Sequence, residues 1–388
     1  MQRITLIVLL TLFLPDLYIY LAHLRHCGGK RWLRLLHWLP SILLAGIYLY
    51  YIALSGENTL SHHAQGIGRL AIATLLFGAS KVAFMLCSLA GVLVHALMRR
   101  CPRLPFNVAG MLLGATIFGC TLYGATIGVE RVEVKEVPLH LSNLPEGFRG
   151  YRVVQLSDLH VGSWKGHPEV MEKMVEKVNA LQPDLILFTG DLVNQRSDEL
   201  PEFAPILSRL KAKDGVYSVL GNHDYGDYYR WPSPQDKADN MESLLKQQAD
   251  MGWHLLNNEH VLLYRGGDTI VLAGVENDGE PPFSQHADLQ RTMQGTDGRF
   301  CILMSHNPTH WRREVLPHGG IDLMLAGHTH AMQSQLFGRS LAALKYPEWS
   351  GLYREEGRML YVNVGIGYVG LPFRFGAWPE ITLFTLQE

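Results

Sequence analysis

Residues 219–224 read V-L-G-N-H-D. An apolar run stops at a glycine and then sets down an amide, an imidazole and a carboxylate in succession. A surface turn can hold Gly, Asn and Asp for local reasons alone, because these residues tolerate turn dihedrals best. Two readings stand here, a plain turn or a ligand loop at a strand end, and the rest of the chain decides between them.

From Arg152 onward, short apolar runs end in polar loops and alternate with helix-period segments, the pattern of an α/β domain. Strands are expected at 152–157, 185–189, 216–220, 269–274, 300–304, 322–326, 360–364 and 381–386, with helices near 168–181, 199–212, 241–250 and 309–316. Ligands in such folds collect beyond the carboxyl ends of strands. The polar motifs sit there: S-D-L-H at 157–160, T-G-D at 189–191, G-N-H-D at 221–224, S-H-N-P at 305–308 and G-H-T-H at 327–330. Asp158 and His160 are two apart, so they point to one side of an extended chain, and His328 and His330 repeat that spacing. Gly190, Gly221 and Gly327 each precede a candidate ligand, where a missing side chain lets backbones crowd together. Singly, each motif reads as a turn, a cap or a core histidine. Together they form the ligand inventory of a dinuclear divalent-metal centre, with imidazole suited to Zn or Fe and carboxylate to Mn.

In that order, D-x-H, G-D, G-N-H-D, a lone H and G-H-x-H resemble the pattern of the calcineurin-like metallophosphoesterases over about residues 150–388. The closing stretch G-I-G-Y-V-G-L-P-F-R-F-G-A-W-P-E-I-T-L (365–383) resembles the bacterial membrane-associated branch of that family. The resemblance implies a four-layer α-β-β-α sandwich. It also implies that Asp158, His160, Asp191 and His330 hold one divalent ion (Mn, Zn or Fe) and that Asp191, Asn222, His306 and His328 hold a second, with Asp191 bridging. His223 would not be a ligand; it would protonate the leaving oxygen or steady the phosphoryl charge. Asp224 would then orient His223, with a plain turn aspartate as the alternative. Two metal ions clamp a phosphoester and lower the pKa of a bridging water, which attacks phosphorus in line.

Two features narrow the substrate. Phosphoprotein phosphatases of the superfamily carry arginines beside these motifs, whereas this chain reads G-D-L-V-N-Q-R and L-G-N-H-D, with Leu220 where the phosphate-gripping arginine would stand. Residues 130–388 carry a formal −10, which offers no electrostatic footprint for nucleic acid. A phospholipid or other amphiphilic phosphoester remains as the expected substrate.

Residues 1–129 are a different material, with ten Lys or Arg against Asp16 and Glu57. Apolar stretches at 4–22, 38–54, 70–98 and 106–128 approach or exceed the ~20 residues that cross a bilayer, so a four-helix transmembrane domain is expected before a 130–150 linker with a lead-in strand and a 151–388 catalytic domain. No cleaved signal is expected, since no small-residue cleavage site follows the first stretch. Loop 23–37 holds Arg25, Lys30, Arg31 and Arg34, and loop 99–104 holds Arg99, Arg100 and Arg103. Positive charge marks both as cytoplasmic, which puts the catalytic domain outside the inner membrane. Asp16 and Lys81 fall at similar depth in spans that run the same way, so the two charges are expected to pair. Cys27, Cys87, Cys101 and Cys120 lie in or beside the spans, and Cys301 reads as a buried structural thiol.

Loops 336–352 and 372–378 mix aromatic and basic residues just past the ligand motifs, so Tyr346, Trp349, Phe373, Phe375 and Trp378 are expected at a headgroup interface. Arg374, with its planar fork, is the candidate to hold a phosphate oxygen. The leading expectation is an extracytoplasmic, membrane-anchored phosphodiesterase or pyrophosphatase. The alternatives are a cytoplasm-facing pyrophosphatase of the UDP-diacylglucosamine type and a non-catalytic scaffold that keeps the fold.

Overall fold

The computed structural model describes residues 2–25, 31–54, 56, 58–296 and 298–388, so Cys27, Lys30 and Glu57 lie outside the described residues. The chain splits into two compact units, Met1–Gly128 with Gly370–Phe373, and Val129–Val369 with Arg374–Glu388.

The first unit carries helices long and apolar enough to cross a membrane at Thr5–Leu24, Trp32–Ala53, Ala64–Leu97 and Leu104–Glu130. With no hydrophobic drive between helices in lipid, close packing depends on small residues. Gly110 and Gly114 serve this in the last span, where a Cβ at Gly114 would stand 2.7 Å from the Ser80 carbonyl oxygen. Asp16 is fully buried, and Lys81 Nζ lies 2.6 Å from its Oδ1. His37 Nε2 stands 3.0 Å from the Asp16 carbonyl oxygen, and Lys81 also donates to Ser41 Oγ at 3.3 Å.

Among its described residues the second unit is built on twelve strands: β1 (Glu133–His140), β2 (Arg152–Leu156), β3 (Leu185–Phe188), β4 (Val216–Ser218), β5 (Trp253–Leu255), β6 (Glu259–Arg265), β7 (Asp268–Gly274), β8 (Cys301–Met304), β9 (Leu323–Ala326), β10 (Gly351–Glu355), β11 (Arg358–Val362) and β12 (Glu380–Gln387). They form two six-stranded sheets, ordered β1-β12-β2-β3-β4-β5 and β10-β11-β9-β8-β7-β6. β2 to β5 run parallel, as do β7, β8, β9 and β11, so their carboxyl ends gather at one edge of each sheet.

Alternation along the strands makes the layers. Val153, Leu185 and Leu187 of one sheet pack with Leu272, Ile302 and Leu325 of the other in a shared inner core. Their neighbours Val154, Ile186 and Phe188 face outward onto Met171, Met174 and Val178 of the helix Glu169–Ala180. On the far side, Val271, Leu303 and Met324 face Trp311 and Val315. Helix, sheet, sheet and helix follow one another, as the resemblance implies.

Every strand expected from an apolar run is present. The lead-in strand expected in 130–150 is the eight-residue β1, paired in parallel with β12. The unexpected strands β5, β6 and β10 share one physical cause. β5 and β6 close one edge of their sheets and β10 another, where one side of the ladder has no neighbour and apolar alternation weakens, as in the half-exposed pattern of β6. Residues 199–212, expected as a helix, hold only the short Ser197–Glu199 and Ala204–Leu207 turns.

Candidate metal centre

Each candidate ligand stands just beyond a strand's carboxyl end. Asp158 and His160 follow β2, Asp191 follows β3, Asn222 follows β4, His306 follows β8, and His328 and His330 follow β9. Five of them take a left-handed backbone: Asp158 (φ 52°), His160 (φ 45°), Asp191 (φ 60°), His328 (φ 72°) and His330 (φ 47°). Such residues cost roughly 1–3 kcal/mol each and persist where surrounding structure over-determines them. Glycine makes the crowding possible: a Cβ on Gly221 would collide with the Asp191 carboxylate, and one on Gly327 with Ser157 and Asp158.

The donors converge. Ligand atoms of Asp158, His160 and His330 lie within 4.8 Å of one another, as do those of Asp191, His306 and His328. His330 Nε2 is 3.2 Å from Asp158 Oδ1, and His306 Nε2 is 3.2 Å from Asp191 Oδ2. His160 Nε2 lies 3.6 Å from the same Asp191 oxygen, so that oxygen faces both groups. Asp191 Oδ1 is occupied, accepting the His223 backbone N–H at 2.8 Å.

Orientation is fixed from behind. His306 Nδ1 donates to the Thr189 carbonyl at 2.7 Å, which turns Nε2 to Asp191 Oδ2 at 3.2 Å; burial opposes charge on this ring, but Asp191 and Asp158 outweigh it and push the imidazole up to about 9. Asn222 Nδ2 donates to Tyr228 Oη at 2.8 Å, while its Oδ1 is buried and unpartnered. An orphaned acceptor of this kind is costly unless something binds it. The electrostatics suit a cation. Burial works against the Asp158 charge, but His330 and His306 outweigh it and hold the carboxyl well below the usual range. Asp191 follows the same balance, burial opposed chiefly by His306. Burial, reinforced by His306, pushes His328 down to about 3, keeping it a neutral lone-pair donor. The donor set thus fits divalent cations of the kind nitrogen and oxygen ligands bind.

His223 and His328 are the half-exposed members of an otherwise buried group. His223 Nδ1 donates to the Asn194 carbonyl at 2.6 Å, and a ring nitrogen of His223 lies within 4.8 Å of ligand atoms of His160 and Asp191. The Tyr228 ring lies tilted against His223 with centroids 4.6 Å apart, and Tyr346 Oη lies 3.0 Å from His328 Nε2.

Two expected roles require correction. Asp224 does not touch the His223 ring. Its buried carboxylate accepts four backbone N–H groups, from Asp191 and Gly221 at Oδ2 and from Leu192 and Val193 at Oδ1, so it ties the two ligand loops together. The orienting group for His223 is a backbone carbonyl instead. Arg374 is fully buried and its fork is spent on the chain itself. It donates to the carbonyls of Val364 (2.8 Å), Gly365 (3.2 Å), Ala377 (3.2 Å) and Gly367, and to His330 Nδ1 (2.9 Å), leaving nothing for a phosphate oxygen. The interface residues shift as well. Trp349 packs on the buried Ala331, Val364 and Ala377, and Trp378 lies under the Arg131 guanidinium and beside Phe375.

Tyr228 and Asn194 were not singled out as site residues, and Tyr346, expected at a headgroup interface, meets His328 instead. The one available signal was the nearness of Tyr228 to G-N-H-D.

The calcineurin-like phosphoesterase family matches residues 151–332, and the transmembrane domain of a probable calcineurin-like phosphoesterase matches residues 2–129. A transmembrane protein with metallophosphoesterase domain from Danio rerio is 33% identical over 66% of this chain and 57% of its own length. The match thus spans little more than half of that relative. The metallophosphoesterase YkuE of Bacillus subtilis is 31% identical over 66% of this chain and 86% of its own length. The UDP-2,3-diacylglucosamine pyrophosphatase LpxG of Chlamydia trachomatis is 29% identical over 62% of this chain and 86% of its own. With strand-end donors in two sheets, four apolar helices ahead of them and these relatives, the chain belongs to the calcineurin-like phosphoesterase family.

Proposed function

We propose that the chain is a membrane-anchored phosphohydrolase that uses two divalent cations to cleave a phosphodiester or pyrophosphate borne by a lipid or other amphiphile. The observation that carries the hydrolase reading is the convergence of six His and Asp donors from four strand ends, together with an Asn222 Oδ1 that is buried and unpartnered. Asp158, His160, Asp191 and His330 would hold one cation, and Asp191, Asn222, His306 and His328 the other. Bound cations supply an acidified water and offset negative charge on the phosphoryl oxygens.

The chain's own groups do the rest. Asp191 and Asp158 orient through the His223 and His328 amides, His223 N to Asp191 Oδ1 at 2.8 Å and His328 N to Asp158 Oδ2 at 3.0 Å. His223, fixed at Nδ1 by Asn194, can pass a proton from Nε2 to the leaving oxygen on the open side of the site. The amphiphile class rests on the fused apolar helices, on the buried Leu220 where a phosphate-gripping arginine would stand, and on the negative charge of residues 130–388. The similarity to LpxG favours a second reading, a pyrophosphatase acting on a nucleotide-linked lipid from the cytoplasmic side.

The test is hydrolysis by the purified chain with Mn²⁺ across phospholipids, nucleotide-sugar lipids and soluble mono- and diesters. A lipid-borne diester or pyrophosphate should turn over fastest, and chelation should abolish it. Turnover of every substrate no greater than that of Asp191→Ala overturns the hydrolase reading, while a preference for soluble monoesters overturns the substrate class.

A further inference from the structure

Among the described residues of 129–388, eight large hydrophobic side chains stand exposed, and five of them fall between 332 and 345. Phe337 is fully open at 102% of its reference area, followed by Leu344 (85%), Leu341 (70%), Met332 (60%) and Leu336 (56%). This segment, M-Q-S-Q-L-F-G-R-S-L-A-A-L-K, begins two residues after His330 and ends one before Tyr346, whose hydroxyl meets His328.

Folding alone does not account for it. Leu336 and Arg339 exchange both backbone hydrogen bonds (2.8 and 2.9 Å), closing a two-residue turn with Phe337 and Gly338 at its tip, both at positive φ (50° and 74°). Turns of that shape favour Asn or Gly at the first position. A phenylalanine there is strained, caps nothing and packs on nothing. The base is firm by contrast. Gln335 N donates to the Phe375 carbonyl at 2.8 Å, Ala331 and Ala342 are buried, and Ser340 caps the turn Leu341–Leu344 by accepting from Ala342 N at 3.1 Å. The apolar tip is therefore held at a set position relative to His328 and His330.

We propose that residues 332–345 form an interfacial anchor, with Phe337, Leu341 and Leu344 entering the boundary between headgroups and acyl chains of the bilayer in which the chain is embedded. The segment holds Arg339 and Lys345 and no acidic residue, which complements anionic headgroups, and apolar tips flanked by base are the character of interfacial binders. Four apolar helices in the same chain keep that surface at high effective concentration. A second copy is the poorer occupant, since two such loops would bring like charges together. The anchor would draw the substrate's phosphoester from the membrane surface to the metal centre. It thus deepens the proposed lipid phosphohydrolase and rests on that reading for its purpose, though not for its test.

The full chain, reconstituted in vesicles of phosphatidylcholine and phosphatidylglycerol with a photo-crosslinking benzoylphenylalanine in place of Phe337, reports the occupant directly. Lipid adducts on this residue are expected. Chain-to-chain dimers assign the face to a second copy, and an absence of adducts leaves the loop in water; either overturns the anchor, whatever the enzyme hydrolyses. In parallel, the double substitution Phe337→Asp, Leu344→Asp should lower turnover of a vesicle-borne phosphoester roughly tenfold and leave a soluble aryl diester within about twofold. Equal losses on both substrates would refute the anchor. If no substrate is cleaved at all, the phosphohydrolase reading fails while the crosslink still decides the loop.

Discussion

Asp191 presents one oxygen to two groups of donors and the other to the His223 amide, so its loss strips shared negative charge from both sides at once. Asp191→Ala is expected to retain less than one equivalent of metal per chain, measured by elemental analysis after gel filtration; two tightly held ions would reject its bridging role. His223→Ala should keep its metal and lose about 10²–10⁴-fold in turnover, more with alkyl leaving groups than with nitrophenolate, which needs no proton. Equal losses on the two leaving groups would leave His223 as an electrostatic group only. Asp224 behaves otherwise. Replacing its carboxylate by an amide sets a donor against backbone donors, and a charged acceptor of four N–H groups is worth several hydrogen bonds at ~1.5–3 kcal/mol each. Asp224→Asn should therefore lower the melting temperature sharply, whereas His223→Ala barely moves it. Residue type and spacing were enough to find the donors at strand ends. They misassigned Asp224 and Arg374 because a carboxylate beside a histidine and an arginine beside a site look functional in one dimension, while burial and backbone partners decide their roles in three.

Turns set the site's shape, and a half-buried carboxylate lies under one of them. The loop from Asn194 to Glu199 supplies the carbonyl that holds His223, and Glu199 Oε2 accepts the Asn194 N–H at 2.6 Å. Burial pushes the Glu199 carboxyl up from 4.5 to about 7. Its folded pKa lies above its unfolded one, so its contribution is fully present below about 4.5 and is lost as pH rises through about 7. Stability from this group should thus fall from about pH 4.5 to about pH 7. Glu199→Gln, measured by denaturant unfolding at both ends of that window, should flatten the part of the pH dependence it owns; an unchanged slope would place the titration elsewhere. Central strands were legible as apolar runs because both their faces are buried, as Leu185, Ile186, Leu187 and Phe188 of β3 all are. Edge strands β5, β6 and β10 and the left-handed ligand turns were not. Their signals depend on neighbours and dihedrals that no local pattern specifies.

Across the whole molecule, charge separates two materials, a formal +8 over residues 1–129 and −10 over the rest. Within the helices the sequence suggested a pairing of Asp16 with Lys81, and the two side chains meet at 2.6 Å with His37 nearby. An unpaired charge at the middle of a bilayer costs at least ~2.5–3.5 kcal/mol on insertion scales, so each partner is tolerated because of the other. Asp16→Asn and Lys81→Met should each destabilise the reconstituted chain by about 1–3 kcal/mol, and the double variant should lose less than their sum. Strict additivity in a thermal-unfolding cycle would show that the pair contributes no coupling. The same charges predict an orientation. The basic residues concentrate in loops 23–37 and 99–104, and charge of this sign is retained on the cytoplasmic side. With an even number of candidate spans between them, that rule predicts that the segment ahead of the first span and the domain that follows the last lie on the other side. A reporter fused after Glu388 that is active only outside the cytoplasm is the expected result. A reporter active only inside would reverse the orientation, give the domain access to nucleotide-linked lipids, and favour the cytoplasm-facing pyrophosphatase.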